Sequence, residues 1–191
     1  MTNKKYFFIG IGGIGMSSIA QYLYEKGNTI LGYDASENKS VKILLKKGVE
    51  VINKLSLERI PDYMKGKDVI VVYTPAIPDD NIFLKYFRSN GNNPIFKRSE
   101  ILGEISKQSK CIAVAGTHGK TTTTAIISHL FHSSGIHFKA FIGGIMKCFD
   151  SNYINTGNDY IIVEADEYDR SFLNLNANYA VITSIENDHL D

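Results

Sequence analysis

The sequence predicts an α/β protein: a Rossmann-like domain with a parallel sheet, followed by the first part of a P-loop ATPase α/β domain. Two observations carry this prediction. Apolar, β-branched runs alternate with helical segments along the chain, which is typical of sheets with crossover helices. Two of these runs end in a glycine-rich turn before a helix, GIGGIG at residues 10–15 and GTHGKT at 116–121. We expect the first domain over residues 1–106 and the second, truncated, over 107–191.

The first domain begins with a predicted strand at residues 6–11, the glycine turn, a helix at 16–26 and a strand at 29–33. G-x-G-x-x-G between a strand and a helix is typical of nucleotide diphosphate sites, because glycine lets the backbone approach the phosphates. Asp34 follows the second strand, where an acidic side chain can meet a ribose hydroxyl. These residues predict a nucleotide diphosphate site. The alternative is a tight turn whose glycines only allow close packing.

The alternation continues through the rest of the first domain. The turn TPAIP, residues 74–78, follows a predicted strand, so Thr74 and Ala76 are candidates for the wall of a ligand site at the carboxyl edge of the sheet. A plain proline-bounded turn is the alternative. A polar stretch at residues 106–110 places the domain boundary near 104–110. Further strands are predicted at 49–52, 68–73 and 94–96, and further helices at 39–47, 80–90 and 98–106.

The second glycine turn has the order of a phosphate-binding P-loop: a buried-type strand at 111–115, the turn, then an amphipathic helix. Its N–H groups and the helix N-terminus favour a phosphate. Lys120 would reach the terminal phosphates, and the Thr121 hydroxyl would hold Mg²⁺. Val114 stands where a glycine is usual, so the motif is a shortened variant. The alternative is a strand-to-helix turn that binds nothing.

Three more strands are predicted after this helix, at residues 137–142, 160–163 and 179–185. Period-two alternation places Glu164 and Asp166 on the same side at the end of the middle strand. P-loop enzymes usually deliver an acidic residue toward Mg²⁺ from such a strand, whereas the alternative is an acidic surface loop. His118 lies inside the turn and is a candidate contact to phosphate or substrate. His129 and His132 are interpreted as ordinary helix residues.

Composition excludes several classes of function. Lysine plus arginine number 21 against 20 aspartate plus glutamate, so no overall charge points to nucleic acid or an anionic membrane. The 2 cysteines fit no metal or redox spacing and suit a reducing cytoplasm. The sequence contains no run of 18 apolar residues, so no membrane span is predicted. We expect a cytoplasmic protein.

Five segments carry a family resemblance, in one order along the chain: FIGIGGIGMSSIA (8–20), RSEIL (98–102), AGTHGKTTTT (115–124), EADEYDRSFL (164–173) and ENDHLD (186–191). Together they resemble the Mur ligases, ATP-dependent enzymes that build the peptide of bacterial peptidoglycan. The histidine of GTHGKT and the GIGGIGMS opening favour the member that adds L-alanine to UDP-N-acetylmuramate. A related ligase that recycles whole peptides onto the same sugar nucleotide is the alternative.

The resemblance implies a three-domain enzyme with a Rossmann-like first domain, a P-loop ATPase centre and a Rossmann-like end domain. It implies ATP and Mg²⁺ as cofactors, UDP-N-acetylmuramate and L-alanine as substrates, and an acyl phosphate on the way to a new C–N bond. The chain would then be a fragment without the amino-acid-binding domain, and we expect it to be inactive alone. A nicotinamide oxidoreductase would leave the P-loop unexplained, and a non-catalytic UDP-sugar or nucleotide module remains an alternative for the isolated chain.

The resemblance also assigns site residues by motif. The first glycine loop would hold the diphosphate, with Asp34 near the uridine, and the UDP-substrate residues would be Gly12, Gly13, Ile14, Gly15, Asp34, Thr74, Ala76 and Arg98. The ATP-binding residues would be Gly116, Thr117, His118, Gly119, Lys120, Thr121 and Thr122. The catalytic residues would be Lys120, Thr121, Glu164 and His189, the last three as metal ligands. The family usually has asparagine at the position of Ser184.

Overall fold

The computed structural model describes residues 3–166 and 168–186, and its contacts divide the chain into two compact units between Arg98 and Ser99. The predicted boundary, after residue 106, lies at the end of a helix that spans Arg98–Ser106. This helix contacts the second unit: the Ser106 hydroxyl accepts a hydrogen bond from the Asn176 N–H at 2.9 Å. The helix therefore belongs to the second unit, and the division between the units lies at the start of the helix rather than at its end.

The first unit is built on a parallel sheet with strand order β3-β2-β1-β4-β5. This confirms the predicted fold class. The first strand ends at Ile9 rather than at residue 11, because Gly10 turns the chain with a left-handed φ of 83°. The elements are β1 Lys5–Ile9, α1 Ile14–Glu25, β2 Thr29–Tyr33, α2 Lys39–Lys46, β3 Glu50–Ile52, β4 Ile70–Tyr73, α3 Ile82–Ser89 and β5 Ile95–Lys97.

Aromatic packing between β1 and α3 forms the core of the first unit. Asn81 caps α3 by accepting from the N–H of Phe83 at 3.0 Å, which starts the helix and sets the face it presents. Phe83 and Phe87 are four positions apart, so both lie on that face, and their rings are 5.4 and 5.0 Å from the ring of Phe7. This core packs against β1, and the glycine turn follows directly from the end of that strand.

Replacing Phe7 with alanine is expected to lower the free energy of unfolding of the first unit by about 3–5 kcal/mol, because it removes a fully buried ring and leaves a cavity. Urea denaturation followed by circular dichroism would measure the loss. The matched control is Phe96→Ala, since the Phe96 side chain on edge strand β5 is 37% exposed. Equal losses in the two variants would contradict the assignment of Phe7 to the core.

The second unit holds a mixed sheet with strand order β10-β6-β9-β7-β8. The segment after β7 was not predicted as a strand, yet it pairs antiparallel with β7. Its sequence, SNYIN, is too polar to stand out, although Ser151 and Asn152 are buried. The elements after α4 (Arg98–Ser106) are β6 Lys110–Ala115, α5 Lys120–Ser133, β7 Phe138–Met146, β8 Ser151–Asn155, β9 Tyr160–Glu164, a 3-10 helix Tyr168–Asn174 and β10 Tyr179–Ile182.

Strands β6 and β9 are neighbours, and this determines where the second glycine turn lies. Their parallel register pairs Val114 with Glu164, so both strands end at the same edge of the sheet. The turn after β6 and the acidic end of β9 therefore meet. Across residues 3–166 and 168–186, no helix is both long and apolar enough to cross a membrane.

Candidate nucleotide-binding sites

The first glycine turn lies at the carboxyl edge of its sheet, between β1 and α1. The N–H groups of Gly10 and Ile11 both donate to the Tyr33 carbonyl, at 2.8 and 3.0 Å. The turn is thus tied to the end of β2, the neighbouring strand. This is the edge at which parallel α/β sheets bind their ligands.

The next two glycines also direct their N–H groups into the protein. Gly12 N–H donates to Asp34 Oδ2 at 2.7 Å, and Gly13 N–H donates to the Gly10 carbonyl at 3.1 Å. The structure therefore brings Gly12, Gly13 and Asp34 together at this turn. It uses them, however, to hold the turn itself.

Helix α1 begins immediately after the turn and supplies the next donors. Gly13 is its N-cap, with no side-chain cap, and the Gly13 carbonyl accepts the first helical bond from Ser17 at 2.8 Å. The N–H groups of Ile14, Gly15 and Met16 precede that bond and point toward the helix N-terminus. Such an N-terminus, with no acidic residue in its first turn, favours an anion.

Arg98 lies against this same helix end. A Cβ added to Gly15 would sit only 2.8 Å from Arg98 Nη1, so glycine is what lets the guanidinium approach. A cation beside the positive end of a helix is unfavourable on its own, whereas an anion between the two is stabilised by both. The pairing of Gly15 with Arg98 is consistent with a site for a diphosphate.

The TPAIP turn packs on the first glycine turn. Ala76 N–H donates to Thr74 Oγ1 at 3.2 Å, and Ile77 N–H donates to the Thr74 carbonyl at 3.0 Å. Ile77 Cδ1 lies 3.2 Å from the position that a Cβ would take at Gly10. Thr74 and Ala76 are thus held beside the turn, with Ala76 exposed.

The second glycine turn has a P-loop geometry. Gly119 is the N-cap of α5 in a left-handed conformation with φ 82°, and no side chain caps the helix. The first helical N–H groups, from Lys120 through Thr122, therefore lie at a helix N-terminus suited to phosphate. Lys120 Nζ donates to the Gly116 carbonyl at 2.6 Å, so its ammonium lies across the loop.

Thr121 and Glu164 meet at the edge shared by β6 and β9. The Thr121 hydroxyl donates to Glu164 Oε2 at 2.9 Å, and Gly143 N–H donates to Oε1 at 2.5 Å. A Cβ on Gly143 would lie 2.5 Å from Oε2, so only glycine allows this approach. The role of Gly143 was not predicted from the sequence, although a glycine inside a strand often marks a close backbone approach.

These oxygen ligands fit Mg²⁺, which usually takes one or two protein oxygens plus phosphate oxygens and water. Thr121 and Glu164 supply a hydroxyl and a carboxylate side by side. Nowhere in the described ranges, this site included, is a group of three His, Cys, Asp or Glu side chains arranged to hold a metal ion. His189 lies outside the described residues. Asp166 follows the end of β9, where its carbonyl accepts from Phe172 N–H at 3.1 Å.

The residues after β10 clamp the P-loop. Thr183 Oγ1 lies 3.1 Å from the Ala115 carbonyl oxygen and 2.5 Å from that of His118, within reach of either for its single O–H donor. Ser184 accepts twice, its carbonyl from Thr117 N–H at 3.0 Å and its Oγ from His118 N–H at 3.1 Å. Two loop N–H groups thus point at Ser184, and the clamp holds the loop at Thr117 and His118.

Glu186 extends this clamp. Its N–H donates to Thr117 Oγ1 at 3.0 Å, and its Oε2 lies 3.5 Å from His118 Nε2. Both side chains are mostly exposed, so this contact adds little stability. Neither Thr183 nor the Glu186 contacts could be found from the sequence, because they join segments far apart along the chain.

Known proteins match the chain along its length. The family described as "Mur ligase family, catalytic domain" matches residues 5–110, and "Mur ligase middle domain" matches 114–191. Proteins named UDP-N-acetylmuramate–L-alanine ligase match over 98% of the chain, that of Christiangramia forsetii at 44% identity and that of Porphyromonas gingivalis at 46%. The chain spans 42% and 41% of their lengths, about two fifths.

Solved structures of proteins with related names also match the chain over nearly its whole length. The UDP-N-acetylmuramate–alanine ligase of Thermotoga maritima matches 97% of this chain and 42% of its own, with a TM-score of 0.88 and 33% identity. The UDP-N-acetylmuramate:L-alanyl-γ-D-glutamyl-meso-diaminopimelate ligase of Neisseria meningitides matches 100% of this chain and 63% of its own, with a TM-score of 0.87 at 24% identity, which shows the fold alone. Two matching family descriptions, in the order in which the two units occur, leave one conclusion: the chain belongs to the Mur ligase family.

Proposed function

We propose that this chain forms the UDP-sugar-binding and ATP-binding parts of a cytoplasmic ligase that joins L-alanine to UDP-N-acetylmuramate in peptidoglycan synthesis. The observation that carries the proposal is the pairing of Thr121 with Glu164 beside a P-loop lysine. The names of the relatives at 44% and 46% identity support the choice of substrates.

The proposed chemistry has two steps. The muramoyl carboxylate attacks the γ-phosphorus of ATP, ADP leaves, and an acyl phosphate remains. The amine of L-alanine then attacks the acyl carbon, inorganic phosphate leaves, and the nitrogen loses a proton as the amide forms. A carboxylate is a poor electrophile. The first step converts it into an acyl phosphate, which carries a good leaving group. Its barrier is lowered mainly by positioning and charge neutralisation.

The second unit has residues suited to that neutralisation. Lys120 would turn from the loop carbonyls to the terminal phosphates, and the first N–H groups of α5 would donate to the same oxygens. Thr121 and Glu164 would hold Mg²⁺, which when bound offsets the charge of the phosphates. His189 is proposed as a further metal ligand from the family motif.

The first unit would hold the sugar nucleotide. The N-terminus of α1 and Arg98 would bind the diphosphate, and the turn that carries Thr74 and Ala76 would wall the site. The peptide-recycling ligase of the same family is the second candidate. Assay of the full-length ligase with L-alanine against a free tripeptide would separate the two.

We predict that residues 1–191 alone bind UDP-N-acetylmuramate in calorimetry but release no alanine-dependent phosphate from ATP. The first unit has a parallel sheet and a buried core of its own, whereas the chain spans about two fifths of the relatives' length. Turnover that scales with the protein and disappears in Lys120→Ala would contradict the prediction. Failure to bind UDP-N-acetylmuramate would contradict the proposed role of the first unit.

A further inference from the structure

We infer that Asp34 and Asn38 are positioning residues: they hold Gly12 from both sides, so that Asp34 fixes the first glycine turn instead of binding the nucleoside sugar. The inference rests on the proposed UDP-sugar function. It assigns Asp34 a role other than the contact with uridine that the family resemblance implies.

The carboxylate of Asp34 is already occupied by donors from its own chain. Oδ2 accepts from Gly12 N–H at 2.7 Å, while Oδ1 accepts from the Ser36 N–H at 2.9 Å and the Ser36 hydroxyl at 2.7 Å. A carboxylate offers about four lone-pair sites. Three of them are therefore committed, which leaves too little capacity to accept from both hydroxyls of a ribose.

Asn38 completes the arrangement from the other side. Its Nδ2 donates to the Gly12 carbonyl at 3.0 Å and to Ser36 Oγ at 3.1 Å, and its Oδ1 accepts from Val41 N–H at 3.0 Å. One side chain thus caps α2 and holds Gly12. The N–H and the carbonyl of Gly12 are consequently bound by two side chains from the β2–α2 connection.

Gly12 is closely enclosed in this position. A Cβ there would lie 2.7 Å from Val41 Cγ2 and 2.8 Å from Asp34 Oδ2. Glycine is thus required for the approach of Asp34, rather than for the approach of a ligand. This is a different use of the motif from the one that the spacing alone predicts.

The consequence concerns the diphosphate. Gly12 and Gly13 direct their N–H groups inward, so the phosphate donors are those of the first turn of α1, at Gly15 and Met16, together with Arg98. Holding Gly12 fixes the start of α1 just beyond it. A donor group held in place before binding costs less free energy to order.

The test is titration of residues 1–191 with UDP by calorimetry and with uridine by ligand-observed NMR. We expect Asp34→Ala to weaken UDP binding about tenfold or more, because it removes a charge-assisted hydrogen bond. Asn38→Asp keeps an acceptor for Val41 N–H but loses the donor to Gly12, and should weaken UDP binding to a similar degree. The factor by which the double variant weakens UDP binding should be smaller than the product of the two single-variant factors, since both side chains act through Gly12.

Three comparisons separate positioning from other roles. Asp34→Asn retains an oxygen for Gly12 N–H but turns its amide NH2 toward the Ser36 donors and removes the charge, so it should recover only part of the UDP affinity that Asp34→Ala loses. Uridine, which has no phosphate, should bind the variants as it binds the unchanged chain. Glu37→Gln, an exposed neighbour, should leave UDP affinity unchanged.

Two results would overturn the inference. One is a loss of affinity for both UDP and uridine that is confined to the Asp34 variants, because this would indicate a contact with the nucleoside. The other is unaltered UDP affinity in Asp34→Ala and Asn38→Asp. Absence of UDP binding by the unchanged chain would instead overturn the proposed function, and the inference with it.

Discussion

Lys120→Ala is expected to lower ATP-dependent ligation in the full-length ligase by about a thousandfold, with binding of UDP-N-acetylmuramate nearly intact. The ammonium lies across the P-loop, 2.6 Å from the Gly116 carbonyl, at the N-terminus of α5. Its loss would leave the charge of the transferring phosphoryl group without its main side-chain partner. Phosphate release from ATP, measured with L-alanine present, gives the rate, and calorimetry gives the affinity for the sugar nucleotide.

The matched control for this variant is Lys107→Ala. Lys107 lies just after α4, exposed and paired with Glu104 at 2.6 Å, before β6 rather than after it. Its loss should leave both readouts unchanged. A folded Lys120→Ala protein that loses ligation and sugar-nucleotide binding together would contradict the assignment of the two activities to different units.

Glu164→Gln should raise the Mg²⁺ concentration needed for half-maximal ligation by about 10–100-fold. The carboxylate accepts from the Thr121 hydroxyl and from Gly143 N–H, so its two oxygens are held in place at the end of β9. An amide presents one oxygen and two N–H donors, and one of these donors would face a neighbouring donor. The site would lose its negative charge as well as its geometry, and a Mg²⁺ titration of ligation measures both effects.

The matched control for Glu164→Gln is Asp159→Asn, at the other end of β9. Asp159 precedes β9, at the opposite end from Glu164, and its side chain is exposed beside His137 at 3.8 Å. The Mg²⁺ requirement should not change in this variant. An unchanged half-saturation in Glu164→Gln would remove that residue from the proposed metal site, whatever the effect on the maximal rate.

Local patterns predicted much of the site. A helix was expected to follow the turn at residues 116–121, and α5 begins at Lys120, within the last two residues of that turn. Strand β9 was expected to deliver an acidic residue, and Glu164 is held against Thr121. The positions of these elements could be predicted because strand, turn and helix signals lie in consecutive residues, and parallel strands bring their carboxyl ends to one edge.

Contacts between distant segments could not be predicted in this way. Gly143 approaches Glu164, and Thr183 and Ser184 bind the P-loop, across separations for which a single sequence has no periodic signal. Strand β8 was missed for a related reason. Its sequence is polar, and its strand character depends on antiparallel pairing with β7.

The sequence by itself determined the α/β class, the order of the two units and the positions of both glycine turns, because apolar periodicity and turn residues act locally. Only the tertiary structure decided what each turn does with its N–H groups. Gly12 donates to Asp34, and His118 donates to Ser184. A backbone donor binds whichever acceptor the fold places within about 3 Å, and that choice is made by packing between strands that are neighbours in space.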